Sequence, residues 1–204
     1  MVPSTARRIA LITAATATLM YGGVACANSD PAPTNPTTTK PVLTGPAGVD
    51  KSPEQQATDS ATAKIAEFYA TLGAVEADPA KPLEELDRVA GGPVLKLRDD
   101  MALRRSQGIT STGAITVVNT SVTDLSAPKD EDGNPIPSPD GAWVTTSTCT
   151  DVSGWNTYRP DGTSTIDPNR SQFELSRITV RNASWPDSSG WRVTSLTPEP
   201  VPAC

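Results

Sequence analysis

SPEQQATDSATAKIAEFYATLGAV (residues 52–75) and ITSTGAITVVNTSVTDL (residues 109–125) decide the fold, because their apolar residues keep different periods. In the first, Ser52 is an N-cap, Pro53 suits the first helical position and Gln55 completes a capping box. Ala57, Ala61, Ile65, Phe68, Tyr69, Leu72 and Val75 then recur every three or four residues and make one apolar stripe. This spacing predicts a helix ending near Glu76, before Asp78-Pro79. In the second stretch Ile115, Val117, Val118, Val122 and Leu125 lie among threonines, and the pattern becomes that of a strand.

Between the two, Leu83, Leu86 and Val89 predict a short helix over residues 82–89. Gly91-Gly92-Pro93 breaks the chain, and Val94, Leu97 and Met101 predict a third helix from Pro93 to about Gln107, ended by Gly108. Downstream, strands are expected over 142–150 and 155–158. A longer one is marked by Phe173, Leu175, Ile178 and Val180, with a bulge near Ser176-Arg177. The last strand is expected over 190–196. Pro128 to Asp140, which holds Asp130-Glu131-Asp132-Gly133-Asn134 and further prolines, reads as a loop. Helices first and antiparallel strands afterwards predict an α+β domain over residues 53–204. Its N-terminal helices pack on one face of a curved, cone-like antiparallel sheet of about four strands.

The first 52 residues have another character. Arg7 and Arg8 precede an apolar run from Ile9 to Tyr21, and Gly22, Gly23, Val24 and Ala25 lead to Cys26. This is the layout of a signal peptide over residues 1–25; as a transmembrane helix the stretch from Ile9 to Ala25 is at the short limit and rich in Ala and Thr. Gly23-Val24-Ala25-Cys26 looks like a bacterial lipobox, in which Cys26 is lipidated and becomes the new N-terminus. The alternative is ordinary signal peptidase cleavage after Ala25-Cys26-Ala27, which discards Cys26 and releases a secreted protein. Residues 26–52 favour the lipobox, because Pro31, Pro33, Pro36, Pro41 and Pro46 alternate with threonines in a tract that cannot form a core. It reads as a disordered Pro/Thr stalk between anchor and domain. The expected location is therefore the outer face of the cytoplasmic membrane.

The composition narrows the chemistry. Of 204 residues, 20 are Pro and only 4% are aromatic, which fits a chain that is folded over part of its length. There is no His, so a Ser-His-Asp triad, a Cys-His pair and an imidazole metal site are all excluded. A net charge of −6 argues against nucleic-acid partners. With Cys26 lipidated or removed, Cys149 and Cys204 remain, and export to an oxidising compartment predicts that they pair. Two free buried thiols are the alternative.

Cys149-x-Asp151, Trp155, Tyr158, the Gly162 turn, Gly190-Trp191-x-Val193 and the terminal Cys204 together resemble a family of actinobacterial secreted proteins and lipoproteins of uncharacterised function. The resemblance covers roughly residues 57–204 and is best over the last third. It implies a nuclear-transport-factor-2-like (cystatin-like) architecture and a Cys149–Cys204 disulfide. The chain departs from the family at Thr148, where an acid is common, and in a longer 128–140 insertion. The family carries no established catalytic residues onto this chain.

Catalytic, metal and cofactor motifs are not found. Glu84-Glu85 and Asp99-Asp100 point to different helix faces and read as solvated. Asp130-x-Asp132-Gly133-Asn134 lacks the spacing and the closing Glu of a calcium loop. Asn119 and Asn182 begin glycosylation sequons that have little meaning in a bacterium. The remaining candidate is a pocket: Trp155 and Tyr158 are expected at the mouth of a cavity between helices and sheet, or else they pack the disulfide and close the core. Three functions are open at this point. One is a noncatalytic binding domain for an envelope protein, lipid or glycan. Another is an enzyme using carboxylates or Lys in the cavity, and the third is a structural subunit of an envelope assembly.

Overall fold

The computed structural model describes residues 51–204; the expected signal segment, Cys26 and all but the end of the expected stalk lie outside the described residues. Helix α1 spans Pro53–Ala77. Ser52 Oγ accepts the Gln55 N–H at 3.2 Å, as the sequence suggests. The reciprocal half of the capping box is not formed, because the Gln55 amide donates forward to Asp59 Oδ1 at 2.7 Å. All seven residues of the expected stripe are buried. Asp78-Pro79 stops the helix with no glycine to turn the chain. Instead the Arg105 guanidinium donates to Val75 O at 2.7 Å and to Lys81 O at 2.9 Å, satisfying a carbonyl in the last turn of α1.

The expected helix over 82–89 is a 3-10 segment, Leu83–Arg88. The reason is visible in its spacing: Leu83, Leu86 and Val89 are three apart, the period of a 3-10 helix, and Gly91-Gly92-Pro93 leaves no room to continue. The third helix likewise divides into a 3-10 turn, Gly92–Leu95, and α2, Lys96–Ser106. Gly108, at φ +69°, ends it.

The strands are β1 (Thr110–Thr112), β2 (Thr116–Ser126), β3 (Ala142–Asp151), β4 (Asn156–Tyr158), β5 (Phe173–Asn182) and β6 (Trp191–Val201). Four of them form an antiparallel sheet in the order β2-β3-β5-β6, and β1 pairs with β4 in a separate two-stranded ribbon. The fold is α+β. Central β3 alternates between two faces. Ala142 and Val144 turn inward with Ile178, Val180, Trp191 and Val193, and meet Ile65, Phe68 and Leu72 of α1 in one core. Two expectations about the strands are corrected. The pairing of β5 is continuous at Ser176-Arg177; the irregularity lies where Thr179 faces Ser195 and Val180 faces Val193, so the extra residue is Thr194 of β6. The last strand also continues past Leu196 to Val201, through Pro198 and Pro200. An edge strand needs only alternate N–H groups for its single neighbour, so prolines two apart are tolerated there and keep further strands from pairing.

Candidate functional site

The segment that leaves β3 makes the site. Asp151 Oδ1 accepts the Ser153 N–H at 2.8 Å, and the Ser153 hydroxyl, together with this N–H, holds its carboxyl below the ordinary value. Gly113 sits at φ +75°, where a Cβ would lie 1.7 Å from the Gly154 carbonyl oxygen, so only glycine lets the β1–β2 link approach this turn. The chain then presents Trp155. Its indole Nε1 donates to Glu76 Oε2 at 2.7 Å, and the other carboxylate oxygen takes Arg104 Nη2 at 2.8 Å. The Glu76 side chain is only 7% exposed. On the other side the Arg170 guanidinium lies 5.4 Å from the Trp155 ring centre. Arg170 is fixed in turn by donating to Val152 O at 2.6 Å and to Trp155 O. The ring is therefore held at its edge by α1 and at its face by the segment before β5.

After β4 the chain turns at Gly162 and comes back. Asp161 Oδ1 accepts the Thr163 N–H, Thr165 N donates to Thr157 O, and the Thr157 and Thr165 hydroxyls are paired. A second turn follows, with Asp167 Oδ1 accepting the Asn169 N–H at 2.8 Å. Between this returning segment and Trp155 is an open groove of about 480 Å³, within the range of small-molecule sites. Its wall combines Trp155, Ile166 and Pro168 with the hydroxyls of Ser153, Thr163 and Ser164, the amides of Asn156 and Gln172, and Asp167 and Arg170.

Of the two residues expected at a pocket, Trp155 lines this groove. Tyr158 does not line it, and its hydroxyl accepts Asn156 Nδ2 at 3.1 Å. The groove is not the expected space between helices and sheet. There Ile65, Phe68, Val144, Ile178 and Trp191 fill the interior, each no more than 1% exposed. Neither Glu76 nor Arg170 was singled out by the sequence, and no local pattern marks them.

Cys149 and Cys204 are joined by a disulfide with a Cα–Cα distance of 6.0 Å. It ties the chain end to the outer face of β3 and encloses the groove, β5 and β6 in one loop. The other shifted groups are structural. Asp130, in the acidic loop, is held low by the Asn134 backbone N–H, which donates to it at 2.7 Å. Burial pushes the Tyr69 phenol up, against the pull of the Ser176 hydroxyl. The Asn182 amide is buried and donates to Asp187 O at 2.6 Å, which occupies that sequon in shaping the 183–190 turn. A second open groove, about 650 Å³, lies on the outer sheet face beside Ser147, Leu175, Arg177 and Glu199.

No family model matches this sequence, and no curated protein matches it. Among solved structures, the intermembrane space region of chloroplast protein ARC6 is similar to 70% of this chain over 98% of its own length, at 19% identity and a TM-score of 0.43.

Proposed function

We propose that this chain is an exported cell-envelope protein of the actinobacterial family it resembles, anchored through an acylated Cys26. Residues 53–204 act as a noncatalytic binding domain. The order of Arg7-Arg8, apolar run, Gly23-Val24-Ala25-Cys26 and Pro/Thr tract supports the anchor and stalk. Among the described residues no helix is long and apolar enough to cross a membrane. One observation carries the binding role: Trp155, fixed between Glu76 and Arg170, is presented rigidly beside an open groove. An aromatic held this way loses little freedom when a ligand packs on it.

The intact mass of the native protein, with and without reduction, tests attachment and cross-linking together. A diacylglycerol-modified Cys26 at the N-terminus and two hydrogens gained on reduction are expected. A mature chain that begins after Ala27 would replace the anchored reading by free secretion. Deleting Asn28–Thr44 should leave the thermal unfolding transition of the domain unchanged and impair its function at the envelope; loss of the transition would show that this tract belongs to the fold.

A further inference from the structure

Resting on the binding role proposed above, we infer that the groove beside Trp155 binds a neutral saccharide. A pyranose ring offers a face of weakly positive C–H groups surrounded by hydroxyls that both donate and accept. The groove offers the complement of both. The indole supplies an electron-rich ring, one face of which is covered by Arg170, and its edge is already satisfied by Glu76, so it has no unmet donor of its own. Around it stand Ser153, Thr163 and Gln172, groups that can give and take hydrogen bonds with hydroxyls.

The same wall disfavours the rival ligands. The one cation in it, Arg170, directs Nη2 at two backbone carbonyls and stands beside Asp167 in the same lining. A phosphate or carboxylate would meet one partly occupied guanidinium and a carboxylate that repels it. An acyl chain needs a continuous apolar wall to gain from burial, and here hydroxyls and amides interrupt it. The groove is open and not closed over, so affinity should be modest, in the micromolar to millimolar range.

Calorimetric titration of the full exported chain with neutral trisaccharides (triacetylchitotriose, maltotriose, mannotriose) tests the inference. A galacturonate trimer and phosphatidylglycerol vesicles serve as comparison arms. We expect saturable binding of at least one neutral trisaccharide. Thr163→Trp, which fills the groove from an exposed position, should weaken it by about tenfold or more. Gln172→Ala should weaken it less, and Arg177→Ala, on the outer sheet face, should leave it unchanged. No binding of any neutral trisaccharide at roughly millimolar concentration would overturn the inference. So would binding that Thr163→Trp leaves unaltered, or binding confined to the acidic trimer or the vesicles. Photo-crosslinking from position 163 in intact cells separates the two claims. Capture of a non-carbohydrate partner there, with the titrations silent, would retain the binding role and remove the saccharide. Silence in both would remove both.

Discussion

Glu76 is the residue on which the site turns, because one buried carboxylate joins α1, α2 and the Trp155 turn. Trp155→Phe keeps an aromatic ring but removes the indole donor. One oxygen of a nearly buried carboxylate is then left without its partner, which should cost about 1–3 kcal/mol in urea unfolding. A double-mutant cycle with Glu76→Gln should show non-additive losses, and additivity would show the bond to be energetically silent. Glu54 acts at the opposite end of α1. The hydrogen bond from Lys129, at 2.5 Å, is the chief cause lowering its pKa from 4.5 to about 2. A depressed carboxylate stabilises the folded chain fully above its ordinary value, and the contribution disappears as pH falls toward the folded value. Glu54→Gln should therefore lower the urea midpoint above pH 4.5, and the gap to the parent should close as the pH approaches 2. Salt should narrow the gap as well, since the pair is exposed; a gap that persists in acid would contradict the assignment.

At the level of elements, the edges of the sheet are treated differently. β6 is guarded by Pro198 and Pro200 along its distal half, while Val193 near its start is bridged to Ala90 in parallel fashion. β2, the other edge, is interrupted by irregularities at Val118 and Thr123, a device that twists an exposed edge away from further pairing. The disulfide holds the end of the chain beyond β6. Cys204→Ser opens a loop of 55 residues, and in the chain-entropy account it should cost about 4 kcal/mol, read as a lower midpoint in denaturant. If oxidised and reduced protein unfold at the same midpoint, the bridge contributes nothing to stability. The 3-10 segments make a related point. Both lie where the apolar spacing or the Gly-Pro content departs from a period of 3.6, so the helical stretch between α1 and β1 is shorter than its hydrophobic pattern suggests.

For the whole molecule, the order of elements was legible in the sequence because each is a local matter. The stripe from Ala57 to Val75, the threonine-rich strand beginning at Ile115 and the Gly108 stop each depend on neighbours within a few turns. What the sequence left open depends on contacts between distant residues. The continuation of β6 through two prolines follows from its place at the edge of the sheet, which no local pattern reveals. The space expected between helices and sheet is occupied because Phe68 and Trp191 reach it from opposite sides. The groove arises elsewhere, where Trp155 meets Glu76 from 79 residues away and Arg170 from 15 residues away. The sequence by itself determined the α+β order and the exclusion of His chemistry, both properties of composition and short-range period. Only the tertiary structure decided how Trp155 is held and that it lines a groove, because burial of a carboxylate and stacking of a guanidinium are set by packing across the fold.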